Sequence, residues 1–182
     1  MPLWELSVIS LALLAIASVA LYTVITGAPP MPSSAAGRDE IVRMLPSRVE
    51  GKIIDVGCGI GTLLFPLAER YPSCRVVGYE RSPLPWLIAR LRLALGQITG
   101  KCCNVTLVWD DYRRHSLADA GVIVCYLDSF ATQQLGRQLL EQLAEALVIS
   151  NTFAIPGWQP CEVHQLDGNK AAPIYLYRLG SC

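Results

Sequence analysis

The chain has 182 residues, 15 Lys and Arg against 15 Asp and Glu, a formal net charge of zero and 52% hydrophobic residues. That length suits one domain with a sizeable core. Balanced charge without a basic block excludes the electrostatic footprint of a nucleic-acid binder, and a mean hydropathy of +0.38 points to a membrane segment.

The apolar excess lies at the N-terminus, where no charged residue occurs from Leu6 to Ala28. Roughly 20 apolar residues span a bilayer core as a helix. Trp4 and Tyr22 sit near the ends of the run, where amphipathic rings favour the interface. No Lys or Arg precedes it, unlike the start of a cleaved signal peptide. Residues 1–28 are therefore expected to be a single-pass transmembrane anchor. Arg38, Arg43 and Arg48 follow the run and only Glu5 precedes it, which leaves the C-terminal domain in the cytoplasm. The Pro- and Ser-rich residues 29–37 read as a linker, and 38–182 as one domain.

Ile41, Val42, Met44 and Leu45 predict a short helix before the first strand. Ile53, Ile54 and Val56 then form a β-branched run that ends in Gly57, Gly59 and Gly61. Leu63, Leu64, Leu67 and Ala68 follow at helical spacing, with Pro66 disturbing the first turn. Strand, glycine turn and helix together make a backbone cradle for a nucleotide-like ligand at a helix N-terminus.

A second strand, Cys74–Glu80, ends in an acid. Ser82 and Pro83 cap a helix whose apolar face is Leu84, Leu87, Ile88, Leu91 and Leu95. A third strand, Asn104–Asp111, ends in two acids, and Gly121–Asp128 is the fourth. Thr132–Leu147 reads as an amphipathic helix with Leu135, Leu139, Leu143 and Leu147 inward, and Leu147–Phe153 as the fifth strand. Two closing antiparallel strands flank a turn at Asp167-Gly168-Asn169. The alternation predicts an α/β fold with a doubly wound, mostly parallel, Rossmann-like sheet.

The seven cysteines, at 58, 74, 102, 103, 125, 161 and 182, contain no CxxC pair and read as reduced thiols. Cys102, Cys103, His115 and His164 fit no structural zinc spacing, so no metal is expected.

The glycines run GxGxG after Asp55, unlike the GxGxxG of dinucleotide sites. A carboxylate there is a poor neighbour for pyrophosphate and a good one for an ammonium group. Glu80 is placed to accept from a ribose diol, and Asp110 or Asp111 from an adenine amine. Acceptors for an amine, a ribose and an adenine around a glycine cradle describe S-adenosylmethionine.

DVGCGIG, VVGYE and the acid after the third strand resemble the motifs of the seven-strand, class I S-adenosylmethionine-dependent methyltransferases. The resemblance implies that Asp55, Gly57, Gly59 and Gly61 contact the methionine part and that Glu80 holds the ribose. Asp111, followed by aromatic Tyr112, is the preferred adenine acid over Asp110. Cys58, Arg81 and Tyr126 complete the expected cofactor-binding set. Glu80–Gly96 and Asn151–Pro160 are also similar to a narrower group, the membrane-anchored lysine methyltransferases of the adenine nucleotide translocase and the ATP synthase c-subunit, with their prokaryotic relatives. That implies lysine N-methylation of a protein in or at the membrane, with no nucleic-acid partner. Tyr126-Leu127-Asp128 departs from the Asn/Asp-Pro-Pro-Tyr signature of amino-methylating nucleic-acid enzymes.

Tyr126, Asp128 and Trp158, near the ends of strands four and five, are the candidate catalytic residues. Each has a structural alternative: Asp128 as a helix cap, Trp158 as packing for its Pro-bounded turn, and Tyr126 as core. A lipid or quinone-like acceptor, or a non-catalytic S-adenosylmethionine-binding membrane module, are the competing functions.

Overall fold

The computed structural model describes residues 2–26, 34–166 and 172–180; the expected turn at 167–169 lies outside them. Seven strands form one sheet in the order β3-β2-β1-β4-β5-β7-β6. Strands β1 (Lys52–Val56), β2 (Val76–Tyr79), β3 (Val105–Val108), β4 (Ala120–Cys125) and β5 (Ala146–Asn151) are parallel to one another. β6 (Glu162–His164) pairs antiparallel with β7 (Ile174–Leu179), which pairs antiparallel with β5. The expected closing pair is therefore present in a seven-stranded, mostly parallel sheet.

Strand residues alternate between two cores. Ile53, Val76, Val105, Val122 and Ile149 pack with α2 (Ala35–Met44), α3 (Leu64–Arg70) and α4 (Pro83–Ile98) through Ile41, Leu64, Leu67 and Leu93. Ile54, Val77, Ile123 and Val148 face the other way, against Leu135 and Leu139 of α5 (Ser129–Gln142). Helices thus cover both faces. α2 starts at Ala35, where Ser34 caps it by accepting from the Gly37 N–H at 3.1 Å, so the last residues of the expected linker are helical. Pro66 sits in the first turn of α3, where its missing N–H would have no intrahelical partner.

Three expectations are corrected. The apolar face assigned to α4 points outward: Leu87, Ile88, Leu91 and Leu95 are exposed, and the buried residues are Pro85, Ala89 and Leu93. α5 runs Ser129–Gln142 rather than to Leu147, because Leu143 is already extended (φ −125°, ψ 131°) and Leu147 belongs to β5. Cysteines 58, 74, 102, 103 and 125 are free, whereas Cys161 is disulfide-bonded.

α1 (Leu3–Thr26) is a single helix of 24 residues in contact with α4. Among the described residues no helix is long and apolar enough to cross a membrane. The expected transmembrane helix is therefore not established by the described residues.

Candidate active site

The register of the sheet aligns the carboxyl ends of five strands. Val56 lies beside Tyr79 and Cys125, Tyr79 beside Val108, and Cys125 beside Ser150. Residues just beyond that row form one rim: Gly57, Glu80, Trp109, Tyr126 and Asn151. Strand order reverses between β1 and β4, and a crevice outside such a switch point is where open α/β sheets bind ligands.

The glycine turn is tied to β2 by both of its first N–H groups. Gly57 and Cys58 each donate to the Tyr79 carbonyl at 2.9 Å, and Gly61 donates to the Cys58 carbonyl at 2.9 Å. Gly57, Gly59 and Gly61 have φ of 76°, 56° and 78°, a region that side chains with a Cβ avoid. A Cβ on Gly59 would meet nothing within 4 Å, so the turn opens onto free space on that side. α4 grips the turn from behind, where Arg92 Nη1 donates to the Ile60 carbonyl at 2.6 Å.

Glu80 is buried, and both its oxygens are in use. Oε2 accepts from the Gly59 N–H at 2.8 Å and Oε1 from the Ser82 N–H at 2.6 Å. Asp55 is buried on β1, and burial, then the Glu80 charge, pushes its pKa up to about 7. Two buried carboxylates that form no ion pair among the described residues favour an ammonium guest. The Cys58 side chain is core: it is 6% exposed, and burial pushes its thiol pKa well up, so only its backbone contributes to the turn.

Past β3, both acids are held by cations. Asp110 Oδ2 lies 3.1 Å from His115 Nε2, and Oδ1 accepts from its neighbour's N–H at 2.7 Å, which, with His115 and Arg114, lowers its pKa. Asp111 pairs with the Arg113 guanidinium, which lowers its pKa, and it also caps a 3-10 turn (Tyr112–Arg114) by accepting from the Arg113 N–H. Arg81 approaches Asp111 to 3.6 Å. Arg81, Trp109, Asp110, Asp111, Arg113 and Arg114 line an open cavity of about 290 Å3. Trp109 stacks on Trp86 at 5.3 Å between ring centroids. Trp109 and Arg113 had no place in the sequence-derived set; a Trp directly ahead of the two acids was the available signal for the first.

The candidates for catalysis separate. Tyr126 is half-buried on the rim, one residue past the end of β4. Asp128 Oδ1 accepts from the N–H groups of Phe130 and Ala131 at 2.8 and 3.0 Å, so this carboxylate caps α5. Trp158 sets its ring edge-on to Tyr177 at 5.7 Å and backs onto Gly136 of α5. His164 bridges Glu40 and Glu162; through Ile174 it is in register with Asn151 of the rim, two strands further out on β6.

The sheet order, the glycine turn and the two strand-end acids define a class I S-adenosylmethionine-dependent methyltransferase. The chain belongs to the family described as the ANTKMT methyltransferase domain, which matches residues 55–162. Among solved structures it is similar to an RNA methyltransferase from Salinibacter ruber in complex with S-adenosyl-L-homocysteine. That pair has 23% identity and a TM-score of 0.70, covering 82% of this chain and 94% of that one. It is also similar to a precorrin-6y C5,15-methyltransferase from Geobacter metallireducens, at 16% identity and TM-score 0.62, covering 80% and 86%. A third is a methyltransferase from Geobacter sulfurreducens with S-adenosyl-L-homocysteine, at 19% identity and TM-score 0.56, covering 72% and 54%. The protein is an S-adenosylmethionine-dependent methyltransferase.

Proposed function

We propose that this methyltransferase is tethered to a membrane by α1 and methylates a lysine side chain of a protein in or at that membrane. The observation that carries the acceptor class is the short connection beyond the end of β4. β4 passes into α5 within three residues, and β5 leads into the irregular 152–161 segment. A three-residue link leaves no chain after β4 to close over a small molecule, which supports a side chain presented by a larger partner. Membership of the ANTKMT family supports the same class.

The tether rests on α1. Its 24 residues carry one charged side chain, Glu5 in the first turn, and no charge after it. Arg38, Arg43 and Arg48 after it favour a cytoplasmic domain. The Cys161 disulfide counts the other way, because reducing compartments keep thiols reduced. Protease accessibility in sealed vesicles decides the side. Zero net charge speaks against a nucleic-acid partner.

When bound, S-adenosylmethionine supplies an electrophilic methyl carbon on a sulfonium. In this reading Asp55 takes its ammonium group, the open Gly59 face its methionine backbone, Glu80 its ribose diol, and Asp111, with Asp110 beside it, its adenine. A lysine acceptor must arrive neutral, having lost a proton from a group of pKa about 10.4. Tyr126, on the rim beside the glycine turn, is placed to orient that amine, and in-line orientation does much of the work in a displacement. Asp128 and Trp158 support the rim from behind, as cap and packing. No metal ligand set is needed for this chemistry.

The test is to incubate the full chain in membranes with a radiolabelled methyl donor, then separate protein from lipid. Methyl-lysine in the hydrolysed protein fraction is expected. Label confined to lipid would overturn the lysine reading in favour of a lipid or quinone-like acceptor.

A further inference from the structure

α4 carries two apolar sides, and the larger one is turned away from the domain. Pro85, Ala89 and Leu93 pack into the core. Leu91 is 59%, Leu95 66% and Ile98 82% exposed, with Leu87 and Ile88 beside them. At 3.6 residues per turn, Leu84, Leu87, Ile88, Leu91, Leu95 and Ile98 fall within an arc of about 100°. Arg90 lies to one side of that arc and Arg92 to the other, and the helix has no acidic residue. α1 meets α4, yet α1 leaves these leucines open and itself exposes Leu13, Leu14 and Ile16. Two neighbouring helices therefore both expose large apolar side chains, the kind of clustering that marks a contact site.

We propose that the outer face of α4 is a membrane-contact surface that lies in the lipid headgroup boundary. Leucines on one side with flanking arginines and no acid are the pattern of an interfacial helix, and anionic headgroups suit the arginines. A second copy of the chain is a poorer occupant. Two-fold pairing of α4 on α4 would bring four arginines together with no acid on either helix to balance them. Arg92 also holds the Ile60 carbonyl, so the helix that rests on lipid is the helix that supports the glycine turn. Membrane contact and cofactor cradle are thereby one mechanical unit, next to a protein acceptor at the surface.

The proposal rests on the tethered reading, and the test separates the two. Full chain carrying Leu95→Trp, or Ile98→Trp as a second position, is reconstituted into vesicles containing anionic lipid. Leu140→Trp, at an exposed site on α5, is the reference. Lipids brominated near the headgroup end of the acyl chain are expected to quench about half or more of the emission added at 95 or 98, with little effect at 140. Protein that floats with vesicles but shows equal, weak quenching at all three positions keeps the tether and overturns the α4 surface. Protein that fails to float overturns both. Crosslinked dimers joined through α4, with no quenching, assign the face to a second copy and overturn the lipid contact.

Discussion

The Gly59 N–H donates to Glu80 Oε2 at 2.8 Å, across 21 residues of chain. That bond closes the glycine turn onto the end of β2, so the acid assigned to the ribose also shapes the cradle for the methionine part. The second oxygen starts α4 through the Ser82 N–H. One carboxylate thus organises three pieces of backbone before any ligand is bound.

Glu80→Ala removes an acceptor from two N–H groups as well as from the ribose. Bonds to a charged group contribute about 1.5–3 kcal/mol each, so affinity for S-adenosyl-L-homocysteine is expected to fall by roughly a hundredfold or more. Calorimetric titration checks it; an unchanged affinity would place the ribose elsewhere. Glu80→Gln keeps an acceptor and loses the charge. Since that charge raises the Asp55 pKa, the glutamine variant is expected to lower it.

Asp55 makes the free enzyme pH-sensitive. Its pKa in the fold, about 7, lies above the ordinary 3.8, so the folded state binds more protons across that window. The Asp55 contribution to stability is fully present below about 3.8 and is lost as pH rises through about 7. Thermal midpoints of the ligand-free protein are expected to fall from pH 5 to pH 8, and Asp55→Asn to flatten that slope. Binding of a ligand with an ammonium group favours the ionised acid, so binding near pH 6 is expected to release a proton. Titration in two buffers of different ionisation enthalpy measures it.

Two glycines separate cradle from scaffold. Gly59→Ala places its Cβ in open space at a left-handed φ of 56°, which costs about 1–2 kcal/mol and leaves the fold intact. The methyl occupies the space assigned to the ligand, so binding is expected to be lost while the far-ultraviolet circular dichroism spectrum is kept. Gly121→Ala drives its Cβ into the Glu50 carbonyl oxygen at the foot of β4. Loss of soluble folded protein is expected there, with no binding-specific effect.

The cradle was legible because its chemistry is local: three glycines in one turn, and acids one residue beyond apolar runs. The α4 orientation was not. Both sides of that helix are apolar, and periodicity does not say which packs inward; the smaller side, Pro85 and Ala89, goes in because it lets the helix approach the sheet closely. Leu143 and Leu147 continue the spacing of α5 beyond its end because Leu147, the second residue of β5, falls in phase with the helix. The pairing of Asp111 with Arg113 depends on a 3-10 turn, which the sequence Tyr-Arg-Arg does not announce.

Asp128 decides how far the end of β4 takes part in catalysis. Its Oδ1 caps α5, so Asp128→Ala is expected to cost about 1 kcal/mol of stability. For a chain of this size that is a fall of roughly 2–4 °C in Tm. Asn caps as well as Asp, so Asp128→Asn should restore Tm. If capping is the whole role, kcat returns with it. A variant with restored Tm and kcat still depressed by tenfold or more would show that the charge itself acts on the acceptor amine. Tyr126→Phe supplies the contrast: it bears on no cap, so a loss of kcat at unchanged Tm is expected, with cofactor affinity retained.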